Sequence, residues 1–165
     1  MKKVLIAIDY NPGAQNVADA GYAYAKRINA KISIVHSITE TSYDSMEYRP
    51  IMGFTGFSAD GLFSNIEERK NEASNFLKAV LQYLGDKDIK TQVLEGKAAY
   101  AILEYAVEWK ADLIVMGSQN HNGFEKLLMG NVVSSVLKDS AIPVLIVPTY
   151  KQVMNMIGEI QNMIV

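Results

Sequence analysis

Short apolar runs recur along the chain, and a polar residue, glycine or proline follows each of them. Runs that are apolar on both faces are typical of strands in a parallel sheet covered by helices on each side. The runs are rich in Val and Ile, whose branched side chains favour strands. They predict strands at residues 4–8, 31–38, 89–94, 112–116 and 142–147.

Between these runs, apolar residues recur at intervals of three and four, which is the spacing of one helix face. In segment 39–65 the pattern has no clear period, and so long a connection is either partly ordered or a functional lid. Gly85 occupies the position of a C-terminal helix cap. The spacing predicts helices over 14–28, 66–84, 99–107 and 132–137.

Strands that alternate with helices predict an α/β fold. Right-handed crossovers favour an open five-stranded parallel sheet of order 3-2-1-4-5, Rossmann-like, with helices on both faces. Ligands of such sheets bind beyond the carboxyl ends of the strands, at the point where the strand order reverses. The order therefore brings loop 9–13 and loop 117–130 together.

Composition narrows the function classes. A chain of 165 residues fits one domain, and its net charge of −2 argues against non-specific binding to DNA or RNA. The absence of cysteine excludes disulfides, Cys-ligated metals and thiol catalysis. No secretory signal and no apolar run long enough to span a bilayer is present. The expected location is the cytoplasm.

Loop 117–130 carries the candidate chemistry. Glycine lets the backbone approach a ligand closely, and Asn131 is a good N-cap for the helix that follows. The free N–H groups and the positive dipole end of a helix start form an anion site. A simpler interpretation stays beside this one: Gly117 ends a strand, Gly130 caps a helix, and the polar residues are a solvated loop.

These features resemble a universal stress protein of the single-domain type, from about Lys2 to Pro148. The family's nucleotide-binding signature is Gly, two residues, Gly, nine residues, Gly, then Ser or Thr. Asn stands here at two of the four positions, and Asn tolerates left-handed backbone better than other non-Gly residues. The signature positions are Gly117, Asn120, Gly130 and Asn131, and the supporting matches are 7–9, Val35-His36, 115–118 and 142–147.

The resemblance implies an adenine nucleotide site on three loops. Asp9 would accept hydrogen bonds from the ribose or the adenine side. The alternative for Asp9 is an Asx-turn role, and the alternative for Met116 is a core position without ligand contact. The implied site residues are Ala7, Ser37 and Met116 at the base, Gly117 and Asn120 around the ribose and α-phosphate, and Gly130, Asn131 and Val132 at the β- and γ-phosphates.

The function expected from this resemblance is a stress-response sensor or regulator that binds ATP, ADP or AMP, with Mg²⁺ arriving on the phosphates. At most slow hydrolysis is expected, because no clear catalytic base or cation stands near the phosphate loop. Two alternatives stay open: a nucleotide-free dimeric interaction protein, favoured by the two Asn substitutions, and a slow ATPase. P-loop, Gly-x-Ser-x-Gly and Rossmann glycine motifs are absent. His36 and His121 lack a third ligand for a dedicated metal site.

The tail at 149–165 lies beyond the domain assigned to residues 1–148. Its apolar residues are spaced four, three and four apart, which predicts a short helical stripe. The stripe packs on its own domain or on a partner subunit. The family resemblance implies a homodimer that pairs along the edge strand Val144–Val147. The stripe residues are Val153, Ile157, Ile160 and Ile164.

Overall fold

A computed structural model describes residues 1–38, 50–54, 65–118, 131–149 and 160–164. Strands and helices alternate along these residues, as the apolar pattern predicts. The elements are β1 (Lys3–Ala7), α1 (Ala14–Arg27), β2 (Lys31–Ile38), α2 (Ile66–Leu84), β3 (Lys90–Glu95), α3 (Ala98–Trp109), β4 (Leu113–Gly117), α4 (Asn131–Asp139) and β5 (Val144–Val147).

The five strands form one parallel sheet of order β3-β2-β1-β4-β5, which confirms the predicted topology. In the register, Ala7 of β1 lies beside Val35 of β2, and Ile6 lies beside Val115 of β4. The strand order reverses between β1 and β4, so the crevice beyond their carboxyl ends is the topological switch point.

Successive strand residues point to opposite faces of the sheet, and both faces are buried. Val4 and Ile6 belong to the core cluster that includes residues of α1 and α2. Leu5 and Val35 belong to the second cluster, with residues of α3 and α4. This two-sided burial is the physical reason for the continuous apolar runs.

Helix α2 has a defined cap at each end. The Asn65 side chain accepts a hydrogen bond from the Glu68 backbone N–H at 3.0 Å. Gly85 ends the helix with a left-handed φ of 67°, and its N–H donates to the Leu81 carbonyl at 2.9 Å. The cap predicted at Gly85 is confirmed, and the Asn-x-x-Glu pattern is the sequence signal for the start of the helix.

Residues 50–54 belong to the connection without a clear period, and they form a tight turn. Ile51 and Phe54 exchange backbone hydrogen bonds of 3.1 and 2.9 Å. Met52 and Gly53 both have positive φ, as a type I′ turn requires. Ile51 and Met52 are buried in the core under α1 and α2. This part of the connection is therefore ordered, and the rest of it lies outside the described residues.

The described part of the tail is helical at 160–164. Its apolar side chains are exposed: Ile160 by 51%, Met163 by 85% and Ile164 by 79%. The other two stripe residues, Val153 and Ile157, lie outside the described ranges. No helix within those ranges is long and apolar enough to cross a membrane.

Candidate functional site

The candidate site lies where β1, β2 and β4 end. The Ile8 N–H donates to the Val35 carbonyl at 3.0 Å, so pairing between β1 and β2 continues past the last named residue of β1. Continued for two residues beyond the Ala7–Val35 pair, this register would place Asp9 beside Ser37. The loop after β1 and the end of β2 thus meet at the carboxyl edge of the sheet.

The loop after β1 is shaped by Asn11. The buried Asn11 side chain accepts a hydrogen bond from the Gly13 N–H at 2.8 Å. The backbone carbonyl of Asn11 accepts a second one from the Ala14 N–H at 3.0 Å. The residue that forms the Asx turn is therefore Asn11, and not Asp9, for which the sequence left a turn role open. Asp9 is solvent-exposed, and its carboxylate accepts from the Tyr10 N–H at 2.9 Å.

His36 supports this loop from the face under α1 and α2. Its Nδ1 donates to the Ile8 carbonyl at 3.0 Å, because a carbonyl can only accept. The ring meets Phe76 edge-to-face, with centroids 5.3 Å apart. Burial lowers the pKa of His36, and it outweighs the opposing effects of the Asp9 charge and the Ile8 hydrogen bond. The imidazole is therefore neutral at pH 7, and it positions the loop.

The free energy of unfolding should decrease as the pH is lowered, because His36 is buried in its neutral form. Its pKa is lower in the folded protein than the ordinary value of 6.5, so only the unfolded chain gains this proton as the pH drops. The stabilisation is complete above pH 6.5 and is lost progressively below it, by at most about 1.4 kcal/mol per pH unit. Denaturant titrations between pH 7.5 and 5 should give a smaller slope for His36→Leu than for wild type. His121→Leu is the control, and equal slopes for wild type and His36→Leu would contradict this account.

The other face of this edge carries buried apolar side chains. Ala7 and Met116 are 9% and 4% exposed and belong to the core cluster with α3 and α4. Met116 therefore has a core role, and its position at the end of β4 also places it at the candidate site. Ser37 adds a buried Oγ that has no hydrogen-bond partner among the described residues.

Packing around Gly117 leaves little room for a side chain. A Cβ at this position would stand 2.8 Å from Val17 Cγ2, so that side chain would have to shift, and 3.0 Å from Thr149 Cγ2, which is an unusually tight contact. The next residue links the ends of β4 and β5: Ser118 N–H donates to the Val147 carbonyl at 3.0 Å, and Thr149 N–H donates to Ser118 Oγ at 3.2 Å. Glycine thus lets α1 approach the end of β4.

Helix α4 is described from Asn131 to Asp139, and the residues before it lie outside the described ranges, so the N-cap at Asn131 stays a prediction. Val133 and Val136 are buried and hold the helix against the sheet, whereas Asn131 and Val132 are exposed. The first N–H groups of a helix have no partner within it, so they are available to an anion. The first turn carries no acidic residue that would repel one.

The structure thus brings together most of the predicted site residues at one edge. Two predicted residues, Asn120 and Gly130, lie in 119–130, outside the described ranges, as does His121. The turn role of Asn11 and the Ser118–Thr149 link were not predicted from the sequence. The signal for the turn was the Asn-Pro-Gly sequence at 11–13, a few residues after the end of β1. Across the described ranges, no group of three or more His, Cys, Asp or Glu residues could hold a metal ion.

Comparisons with known proteins agree with this fold. A model of the universal stress protein family matches residues 1–148. A universal stress protein of Methanocaldococcus jannaschii is 31% identical over 154 residues, which is 92% of this chain and 84% of the relative.

Two solved structures with the same fold contain adenine nucleotides. A universal stress protein in complex with cAMP has a TM-score of 0.55 and 26% identity, over 90% of this chain and 98% of that one. The universal stress protein of Archaeoglobus fulgidus in complex with dAMP has a TM-score of 0.57 and 16% identity, over 88% of this chain and 97% of that one.

Proposed function

Because this chain belongs to the universal stress protein family, we propose that it binds ATP, ADP or AMP at the switch point of its sheet and acts as a stress-response sensor or regulator. The observation that carries the proposal is the common position of three features: the exposed Asp9 carboxylate, the Ser37 hydroxyl, which has no hydrogen-bond partner among the described residues, and the start of α4, which follows β4. These features suit a ribose, a base and a phosphate respectively.

The order of these features along the sheet edge matches the order of groups in a nucleotide. Ser37 lies one residue before the end of β2, Asp9 follows β1, and α4 follows β4, which lies on the other side of β1. Neighbouring strands are about 4.8 Å apart, so the distance from β2 to β4 is about 10 Å. A nucleoside with its α-phosphate has this length. The Asp9 charge favours ribose hydroxyls and disfavours a phosphate, so the phosphates belong at α4.

The roles of the other site residues follow from this placement. Ala7 and Met116 would form the apolar surface under the base, and Gly117 would lie beneath the ribose. Backbone N–H groups of Asn131 and Val132 would bind the phosphates without any lysine. The family signature assigns Asn120 to the α-phosphate and Gly130 to the β- and γ-phosphates. Mg²⁺, if it accompanies the nucleotide, would be held mainly by phosphates and water.

The adenine preference is supported by relatives that hold cAMP and dAMP. The proposal that this chain also binds a triphosphate goes beyond the nucleotides that these relatives hold. If ATP binds, at most slow hydrolysis is expected. A change of conformation on nucleotide binding would then transmit the stress signal. The chain is expected to act in the cytoplasm. A slow ATPase is the alternative that a phosphate-release assay detects.

Native mass spectrometry of the purified protein tests nucleotide binding. Adenine nucleotide that co-purifies, or a rise in melting temperature at millimolar ATP, is the expected result. Without either, the nucleotide proposal is wrong, and the nucleotide-free interaction protein becomes the better account.

We also propose that two copies pair through the edge strand β5 and the apolar tail. All four residues of Val144–Val147 are only partly buried, and β5 is the last strand of the described sheet, so one of its edges has no described strand beside it. An apolar edge of this kind is normally covered. The tail stripe ends in Ile164, which is 79% exposed and suits the same interface.

Light scattering after size-exclusion chromatography should therefore give twice the chain mass. Ile164→Glu should raise the dimer dissociation constant about tenfold or more, because the charge would have to be buried. Tyr100→Glu introduces the same charge at a residue that is 69% exposed on α3, and it should leave the mass unchanged. A monomer for the wild type at about 100 µM would contradict the dimer proposal.

A further inference from the structure

The edge of the sheet opposite the candidate site carries a row of lysines. Lys3, Lys31 and Lys90 are the first residues of β1, β2 and β3, which are neighbouring strands. In the register, Lys3 lies beside Lys31, and Lys90 lies beside Ser33. Paired residues of a sheet share a face, as do residues two apart, so all three side chains leave the face that α3 covers. Since neighbouring strands are about 4.8 Å apart, this lysine row spans about 10 Å across the strands.

Two lysines of the row lie over a pair of aromatic rings. Tyr105 and Trp109 of α3 are parallel to within 12°, with centroids 6.4 Å apart. Lys3 Nζ lies 5.4 Å from the centroid of the Trp109 ring, and Lys90 Nζ lies 5.8 Å from that of Tyr105. Lys3 also donates to the Trp109 carbonyl at 3.0 Å. A ring attracts an ammonium group through its face, so these contacts position the charges and leave most of their N–H groups available.

The lysine row has no acidic partner among the described residues: no carboxylate there lies within ion-pair distance of Lys3, Lys31 or Lys90. By contrast, Lys26 of α1 pairs with Asp86 at 3.2 Å. Like charges at paired positions of a sheet repel, and Lys3 and Lys31 occupy such positions. The dipole of α3 accounts for Lys3, which donates to a terminal carbonyl, but not for Lys31. The row therefore keeps positive charge that the fold itself does not need.

Other charges at this edge keep the attractive surface short. The Asp112 carboxylate accepts from the Lys3 backbone N–H at 2.8 Å and lies 3.9 Å from Lys2 Nζ, so it is engaged beside the row. Exposed residues of both signs lie around it: Lys110, Glu108 and Asp88. An anion that fits here is therefore a short one.

Charge and rings together select one kind of polyanion. A nucleic acid needs many phosphate contacts, and it needs open ring faces on which bases can stack. The row offers few charges, and each ring already has an ammonium group over it. An extended protein segment places alternate side chains on one side about 7 Å apart, so two or three acidic residues cover the length of the row.

We propose that the lysine row is a docking surface for an acidic, extended segment of a partner protein. It lies at the amino edge of the sheet, whereas the nucleotide site is proposed for the carboxyl edge. The surface therefore stays open when that site is occupied, and the inference does not depend on nucleotide binding.

The experiment titrates the full chain with a decaglutamate peptide, by calorimetry and by tryptophan fluorescence. Trp109 is the only tryptophan of the chain, so its fluorescence reports on this surface. Lys31→Glu should weaken binding about tenfold, because it removes an attraction and adds a repulsion. Lys78→Glu, an equal change of charge at an exposed position of α2, should weaken it less than about twofold. Lys31→Glu should not melt earlier than the wild type, because glutamate at this position relieves the repulsion from Lys3.

The contrary results are distinct. No binding of the peptide at millimolar concentration, or binding that leaves the Trp109 fluorescence unchanged, overturns the docking surface. Equal weakening by Lys31→Glu and Lys78→Glu shows that overall charge and not the row attracts the peptide, which also overturns it. An oligothymidine that binds more tightly than the peptide and is weakened by Lys31→Glu overturns the choice of an acidic protein segment. None of these results bears on the nucleotide site.

Discussion

An Asn131→Asp variant is expected to bind ATP about tenfold to a hundredfold more weakly than the wild type and to bind adenosine equally well. Asn131 is the exposed first residue of α4, where the helix N–H groups would hold the phosphates. A carboxylate about 5 Å from a phosphate, at an effective dielectric constant of about 20, opposes binding by roughly 3 kcal/mol before salt screening reduces it. Adenosine carries no phosphate and is not repelled.

Calorimetric titration with ATP, AMP and adenosine gives the comparison. Ser135→Asp is the matched control, since it places the same charge at an exposed position one turn further along α4. This control should lose at most a small part of the ATP affinity. An acidic residue in the first turn stabilises a helix, so Asn131→Asp should not melt earlier than the wild type. Equal weakening for adenosine would show that Asn131 does not mark the phosphate end.

Replacing Phe76 with alanine is expected to lower the free energy of unfolding by about 3–5 kcal/mol. Phe76 of α2 is 0% exposed. Its ring meets Tyr10 at 5.5 Å, His36 at 5.3 Å and Phe54 at 5.3 Å between centroids. The cavity would thus lie below three segments at once: the loop after β1, the end of β2 and the turn at 50–54.

Urea denaturation of the wild type, Phe76→Ala and Phe76→Leu measures this effect. Leucine keeps much of the volume, so it should cost less than half as much as alanine. Because the ring supports the loop that carries Asp9, Phe76→Ala should also weaken nucleotide binding in the remaining folded protein. A loss below about 1.5 kcal/mol for alanine would mean that the core collapses into the space, and that this aromatic cluster does not hold the loop.

The fold could be predicted from the sequence because the strand patterns, the helix patterns and the capping residues all indicate the same order of elements. Both faces of the sheet are buried, so the strands are apolar throughout, and helices such as α2 have a clear apolar face and a glycine cap at Gly85. The strand boundaries moved by one or two residues, for example from 142–147 to Val144–Val147, because pairing with a neighbouring strand sets them and apolar character does not.

The candidate site could be predicted only in outline. The glycine at residue 117 predicted that another group lies close to the backbone there, but the sequence does not identify that group. The structure shows that the side chains of Val17 and Thr149 lie there. Likewise, the polar residues after β1 predicted a turn, and only the hydrogen bonds assign it to Asn11. Within the described ranges the Ser37 hydroxyl lacks a hydrogen-bond partner, and no sequence pattern signals this, since it depends on neighbours that tertiary packing selects.

The central claim is that an adenine nucleotide binds at the switch point of the sheet, and the measurement that tests it most directly is an NMR titration of the ¹⁵N-labelled full chain with AMP. The account predicts that the largest amide shift changes fall on residues at the ends of β1, β2 and β4 and at the start of α4, among them Asp9, Ser37 and Asn131. Changes centred on α3 or on the tail, or none at millimolar AMP, would contradict it.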